Sequence, residues 1–198
     1  MPSAADASAV SRTAQRLAAG YYAFLVAHLV AVNPQSINSL PPAKVLGEDP
    51  TGEIKRKDGS AHVLNLRHYL DLLREDQDLQ AELLRAWAMG ALLTIGDQLA
   101  AHLYFDRAPL LELVYHLRNG VAHGNRFNIT SAGVTRLASH PAHNRSAVIK
   151  SPAGFTFEIL PTLTGPVLFD FIGPADVIDL LQSVEVHLSA LARVSADP

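Results

Sequence analysis

The chain has no cysteine among its 198 residues. This absence excludes thiol nucleophiles, thiolate metal ligands and disulfide bonds together, and it leaves the redox compartment open. Aromatic and sulfur-containing residues are also scarce, with one tryptophan and two methionines. A hydrophobic content of 48% must therefore come mainly from aliphatic side chains and alanine, which is typical of a folded globular chain.

The chain also lacks a hydrophobic run that is long enough to cross a membrane. The most apolar stretch, Leu17 to Val32, is interrupted by His28 and is shorter than the ~20 residues that a spanning helix needs. The residues before it do not combine a positively charged start with a cleavage site. We therefore expect neither an export signal nor a membrane anchor, and we expect a cytoplasmic location.

Several common enzyme signatures are missing from the sequence. It has no Gly-x-Ser-x-Gly elbow, no phosphate-binding loop and no dinucleotide fingerprint, so hydrolase, kinase and dehydrogenase functions have no support. The pair His140 and His143 has metal-ligand character, but a proline lies between them and no carboxylate is near. We expect no metal and no cofactor.

Acidic residues are missing from one long segment. Residues 113–157 contain no Asp or Glu, although the chain has 19 acidic residues and a net charge of −3. The same segment contains five cations, Arg118, Arg126, Arg136, Arg145 and Lys150. The overall charge argues against a protein that coats nucleic acid, whereas the local excess of cations favours contact with phosphate at one place.

Apolar periodicity predicts a mainly α-helical single domain over residues 1–198. Helices are predicted at about 7–32, from 63 onwards, at 79–104, at 110–124, and from Pro174 to the end. The helix at 79–104 is apolar around most of its middle, and we expect it to be the buried central helix. Asp78 and Asp106 are predicted N-caps, and Gly124 is a predicted helix stop.

Two segments have the composition of loops and strands. Residues 33–61 are rich in proline and glycine and predict a long loop. Residues 127–171 predict a small antiparallel β-ribbon before the last helix, with strands at Val134–Leu137, Ala147–Lys150, Phe155–Leu160 and Val167–Phe171. A role in binding and a hairpin that covers the end of the bundle explain the ribbon equally well.

The helix predicted before Gly124 has a polar stripe. At ~100° per residue, Glu112, His116, Asn119 and His123 fall within roughly 60° of one another. The opposite face is apolar and is predicted to pack on the core, with Leu113, Val114, Leu117, Gly120 and Val121. For Glu112 and His116 a solvated helix face is an equally good interpretation.

His123 lies in the last turn, where the helix dipole favours a cation, and a histidine can both take and give a proton.

Arg118 adds a permanent cation to this helix. Its planar donors suit a phosphate group that gains charge during transfer. Arginine and histidine without metal ligands favour phosphodiester transfer. Arg118 and His123 are five residues apart in the sequence. That spacing separates them by roughly 140° on a regular helix. Arg118 must therefore reach round, the last turn must unwind, or a second chain must complete the site.

The run Leu117-Arg118-Asn119-Gly120-Val121-Ala122-His123-Gly124-Asn125 resembles the Arg-x4-6-His signature of HEPN domains. The predicted order of a long first helix, a central helix, a motif-bearing helix and a closing helix is similar to the HEPN bundle. The resemblance implies a metal-independent endoribonuclease that works as a homodimer with two facing motifs. RNA would be cut by attack of its own 2′-hydroxyl, which leaves a cyclic phosphate.

The resemblance also assigns roles to residues. It implies that Arg118 and His123 are the catalytic pair and that Asn119 is a polar helper. Candidates for contact with RNA are Arg126, Arg136 and His116. The family further implies a toxin or phage-defence effector, with an antitoxin or regulatory protein as a partner.

Two other functions remain open from the sequence. Some members of the family keep the fold without nuclease activity and serve as protein-interaction or RNA-binding modules. The second is a plain helical interaction protein in which Arg118 and His123 have structural roles. Asn125 stands where some members have a tyrosine that a partner nucleotidyltransferase modifies, so that form of regulation does not fit this chain.

Overall fold

A computed structural model describes residues 3–105 and 107–194 of the chain. It confirms a mainly helical fold with small antiparallel strand pairs. The helices in the described residues are α1 (Ala4–Ala31), α2 (Leu66–Glu75), α3 (Gln77–Ala101), α4 (Pro109–Ala122), α5 (Ser131–Ser139) and α6 (Pro174–Val194), with a 3-10 helix at Pro34–Ser39. The strands are β1 (Thr51–Lys55), β2 (Ala61–Asn65), β3 (Arg126–Asn128) and β4 (Thr164–Pro166). No helix of the described residues is long and apolar enough to cross a membrane.

The chain divides into two compact units. The larger comprises Met1–Tyr22 and Arg85–Pro198, and the smaller comprises Ala23–Leu84, so that the boundaries fall within α1 and α3. The prediction of one domain over the whole chain stays a prediction.

The smaller unit contains an antiparallel hairpin of β1 and β2 followed by α2. Thr51 pairs with Asn65 at one end of the hairpin, and Lys55 pairs with Ala61 at the other. The Asn65 side chain then accepts a hydrogen bond from the backbone N–H of His68 at 2.9 Å and caps α2. The predicted long loop at 33–61 therefore contains a 3-10 helix and a strand, and the residues from Ala61 to Asn65 are a strand rather than the start of a helix.

The core of the larger unit is formed by α1, α3, α4 and α6. The second half of α3 is buried at Ala88, Ala91, Leu92, Ile95, Gly96 and Leu99, which confirms it as a buried helix. The Tyr21 ring of α1 stacks on the Trp87 ring of α3 with centroids 5.3 Å apart. The apolar face predicted for α4 is buried as expected. One side of α4 is therefore fixed against the core, and its polar side faces the segment that follows it.

Capping hydrogen bonds and backbone conformation determine where the helices begin and end. The side chain of Asp76 accepts a hydrogen bond from the backbone N–H of Leu79 at 2.9 Å, so Asp76 is the cap of α3. The prediction of Asp78 was wrong because α3 already begins at Gln77. Asp106 lies outside the described residues, and the residue directly before α4 is Ala108, which makes no side-chain capping bond. Gly124 has a φ of 83° just after α4, as expected for a helix stop.

The β-ribbon before α6 is smaller than predicted. It consists of β3 and β4, in which Phe127 pairs with Gly165. The strand predicted at Val134–Leu137 is wrong, because these residues lie in α5. The other three predicted strands form no strand in the described residues and contribute only isolated bridges at Glu158 and Leu168. The residues between β3 and β4 are therefore mostly helix and loop.

Candidate functional site

The helix α4 and the strand β3 approach each other closely at Gly120. A Cβ atom at this position would lie 2.5 Å from Cγ2 of Val167 and 3.3 Å from the carbonyl oxygen of Arg126. Real Cβ atoms do not approach other atoms as closely as 2.5 Å, so a larger residue at position 120 would displace Val167. The glycine within the Arg-Asn-Gly run thus has a structural role.

The turn that follows α4 is held by Asn125. Gly124 and Asn125 both have positive φ, 83° and 60°, which reverses the chain directly into β3. The side chain of Asn125 donates to the carbonyl oxygen of Leu168 at 3.4 Å and accepts from the N–H of Leu168 at 2.8 Å. Its backbone carbonyl accepts from the N–H of Val167 at 3.0 Å. Asn125 therefore anchors the end of the motif to the segment after β4, which sequence reasoning did not foresee.

A cleft of about 900 Å³ lies between α4, β3 and α5. The α4 side of this cleft is formed by Tyr115, His116, Asn119, Gly120 and His123. Residues 126–130 form the middle, and α5 contributes Ala132, Gly133 and Arg136. Among the residues that the structure describes, no Asp or Glu lines the cleft, and the charged residues in its wall are Arg126 and Arg136. The volume falls in the range of small-molecule sites.

His123 and Asn119 face this cleft together. His123 is exposed and is the first residue after α4, where its backbone N–H donates to the carbonyl oxygen of Asn119 at 3.1 Å. The structure therefore brings together His116, Asn119 and His123, three of the four residues in the predicted polar stripe. An imidazole in such a place is open to a ligand in the cleft.

Arg118 is directed to a different neighbour. Its Nε and Nη2 atoms donate to Oδ1 of Asp97 on α3 at 3.0 Å and 2.7 Å. Its Nη1 atom donates to Oδ1 of Asn119 at 3.3 Å. Arg118 is not among the residues that line the cleft, so the chain does not place the guanidinium beside the His123 ring. Asn119 contacts Arg118 and also lines the cleft with His123.

The contact of Arg118 with α3 depends on Gly96. A Cβ atom at residue 96 would lie 2.5 Å from Cγ and 2.8 Å from Cβ of Arg118. The arginine therefore crosses α3 where that helix has no side chain. This close packing fixes the Cβ and Cγ atoms of Arg118, whose side chain as a whole is 34% exposed.

Glu112 and Arg136 form an ion pair between α4 and α5, in which Glu112 is buried and the Arg136 side chain is 25% exposed. Nε of Arg136 donates to Oε2 of Glu112 at 2.7 Å, and Nη2 donates to Oε1 at 2.8 Å. The guanidinium also lies 4.2 Å from the centroid of the Tyr115 ring, which is a cation–π distance. Glu112 is only 1% exposed. The interpretation of Glu112 as part of a solvated face was therefore wrong, because α5 covers this part of the stripe.

His116 is the second covered member of the stripe. It is 5% exposed, and its Nε2 atom has no hydrogen-bond partner within the described part of the chain. Burial lowers the pKa of His116, and Glu112 raises it in part while Arg136 lowers it further. The ring is thus neutral at neutral pH. A buried nitrogen without a hydrogen-bond partner lowers the free energy of unfolding by about 1–3 kcal/mol.

We expect the stability of the fold to decrease in mild acid. Burial lowers the pKa of both His116 and His187 in the folded state. Below the unfolded pKa of about 6.5 the unfolded chain binds more protons, so acid favours unfolding. The free energy of unfolding should therefore be constant above that pH and fall below it. Urea titrations of the wild type and of His116→Gln at several pH values measure this, and a variant with undiminished pH dependence would exclude His116 as a cause.

The remaining cations near the cleft differ in their surroundings. Arg126 is exposed, and its side chain makes no hydrogen bond or ion pair with the residues that the structure describes. Arg136, by contrast, is held by Glu112. The first turn of α5, which borders the cleft, contains no acidic residue. The exposed guanidinium of Arg126 therefore adds positive charge to its side of the cleft, whereas the charge of Arg136 is offset by Glu112.

Comparison of the chain with protein-family models, with curated proteins and with solved structures finds no match. The resemblance to HEPN domains therefore depends on the motif and on the helical order alone.

Proposed function

We propose that the chain is a metal-independent endoribonuclease of the HEPN type that acts as a homodimer. The observation that supports this most directly is the position of His123, which is exposed at the end of α4 in a cleft whose described lining residues include no carboxylate. Asn119 lies one turn earlier and connects this cleft to Arg118. A toxin or phage-defence role, with an antitoxin or other regulatory protein, is part of the same proposal.

The reaction requires proton movement and stabilisation of negative charge. The 2′-hydroxyl oxygen of RNA attacks the neighbouring phosphorus and loses its proton, while the bond from phosphorus to the 5′-oxygen breaks and that oxygen gains a proton. The products are a 2′,3′-cyclic phosphate and a 5′-hydroxyl. An exposed imidazole at His123 suits either transfer, and Asn119 can orient the phosphate.

We assign the stabilisation of negative charge on the phosphate to Arg118. This role requires a second copy of the chain. Within one chain its guanidinium is held by Asp97 on the far side of Asn119, away from the cleft. The ion pair is partly exposed on both sides, with 34% and 60% of the side-chain surfaces accessible. Exposed pairs of this kind are weak and are easily exchanged for a phosphate. In a dimer with facing motifs, Arg118 of one copy can serve the cleft of the other.

A catalytically silent binding module is the alternative. The observation that favours it is the same ion pair, because an arginine that is permanently held by Asp97 would have a structural task. In that case the cleft would bind RNA or a protein without cutting it.

Incubation of the purified protein with a mixed RNA pool in excess EDTA tests the proposal. We expect cleavage that leaves cyclic phosphate and 5′-hydroxyl ends. Cleavage that needs an added divalent metal, or that leaves 3′-hydroxyl ends, would contradict the mechanism. A folded dimer that cuts no RNA would favour the silent binding module.

A further inference from the structure

Two neighbouring residues of α3 together receive the side chain of Arg118. Gly96 has no side chain, and a Cβ atom there would lie 2.5 Å from Cγ of Arg118. Asp97 is the next residue, and its Oδ1 atom accepts hydrogen bonds from Nε and Nη2 of the same arginine at 3.0 Å and 2.7 Å. The aliphatic part of Arg118 therefore crosses α3 at the glycine, and the guanidinium lies at the carboxylate of Asp97.

The bond to Asp97 occupies an edge of the guanidinium that is suited to phosphate. Nε and Nη2 carry two parallel N–H donors, and this pair of donors matches two oxygens of a carboxylate or of a phosphate. In the structure both donors bind the single oxygen Oδ1 of Asp97. A phosphate cannot use this edge of Arg118 while Asp97 does.

The ion pair is nevertheless exchangeable. The Asp97 side chain is 60% exposed, so water can solvate its carboxylate when the arginine leaves. Exposed pairs of this kind contribute little to stability. A phosphate offers two oxygens to the same two donors and forms the stronger bidentate contact. Asp97 therefore competes with phosphate for Arg118 and does not hold the arginine permanently.

We propose that Asp97 is a positioning residue that acts through Arg118 and keeps its guanidinium on α3 until a phosphate of the substrate displaces it. The inference rests on the proposed nuclease function, in which Arg118 binds the phosphate that is cut, and it adds the regulation of that site. Asp97 lowers the affinity of the free protein for RNA. Removal of its charge should therefore raise that affinity.

Asp97→Asn tests this role, because asparagine has the same size as aspartate and no charge. Binding is measured in EDTA with a short fluorescent 2′-fluoro RNA, which has no 2′-hydroxyl to react. We expect Asp97→Asn to bind this probe about two- to fivefold more tightly than the wild type, as the loss of an exposed pair predicts. Asp97→Glu keeps the charge and should stay within about 1.5-fold of the wild type. Thermal unfolding of both variants should match that of the wild type.

Two controls separate this effect from a general change of charge. Asp78→Asn removes an exposed carboxylate from the first turn of the same helix, in the other compact unit, and should leave the affinity unchanged. In the Arg118→Ala background Asp97→Asn should have no effect, because Asp97 acts through the arginine. A gain of the same size in either control would overturn the proposal, and so would an Asp97→Asn variant that binds no more tightly than the wild type.

Cleavage rates separate the role of Asp97 from the nuclease function. KM should fall in Asp97→Asn by the same factor as the dissociation constant while kcat is unchanged, because Asp97 opposes binding and not the chemical step. A lower kcat would overturn the proposal, since Asp97 would then support the reaction. If the wild type cleaves RNA and Asp97→Asn has the same KM and affinity, the role of Asp97 fails and the nuclease stands. Tighter binding through Arg118 without cleavage by either protein gives the opposite result.

Discussion

Replacement of His123 with alanine is expected to lower RNA cleavage by about 10²- to 10⁴-fold, because the reaction loses the group that moves its proton. The fold should not change. The His123 side chain is exposed, and the backbone N–H that donates to Asn119 at 3.1 Å is present in alanine as well. Initial rates of cleavage in EDTA, together with thermal unfolding and the molar mass in solution, measure both parts of the prediction.

Controls for this experiment come from elsewhere in the chain. His68→Ala removes an exposed histidine from α2, in the other compact unit, and should leave the rate unchanged. Arg118→Ala should show a loss of about 10²- to 10³-fold, since oxyanion stabilisation of this kind is removed with the guanidinium. Wild-type rates in both His123→Ala and Arg118→Ala would show that the activity belongs to a contaminant.

Arg136→Ala is expected to destabilise the protein by about 3–5 kcal/mol, which is the usual result of removing one partner of a buried ion pair. The carboxylate of Glu112, only 1% exposed, loses two short hydrogen bonds and remains inside the protein. Part of the lost free energy of unfolding should return at low pH, where the Glu112 carboxylate becomes neutral. Urea unfolding at neutral and acidic pH measures the free energy in each case.

The double variant Glu112→Leu with Arg136→Met is the matched control. Two apolar side chains of similar size remove the charge and its partner together, which is often neutral for stability. A single Arg136→Ala variant that loses less than about 1 kcal/mol would show that the ion pair does not fix α5 to α4.

The helices were predictable because their apolar residues recur with helical spacing. The centre of α3 and the buried face of α4 follow directly from that pattern. The strand predicted at Val134–Leu137 is wrong because β-branched residues such as Val134 and Thr135 give only a weak preference for a strand. In the structure a capping bond at Thr130 starts a helix there, and burial of Leu137 holds it. Tertiary contacts therefore override a weak local preference.

The candidate site was predictable in its residue types and not in its contacts. Helical spacing places His116, Asn119 and His123 on one side of α4, and all three line the cleft. The burial of Glu112 depends on α5, which periodicity did not reveal, and the partner of Arg118 is Asp97, 21 positions earlier in the chain. Contacts between distant residues leave no periodic signal in one sequence.

The anchor at Asn125 also bears on when the turn after α4 becomes ordered during synthesis of the chain. The residue that holds the turn after α4 is bonded to Leu168, 43 positions later, so α4 can form long before this bond exists. Closing so long a segment costs entropy that is recovered only when the later residues arrive. A chain still attached to the ribosome would thus lack an ordered wall beside His123 until residues 164–168 had emerged.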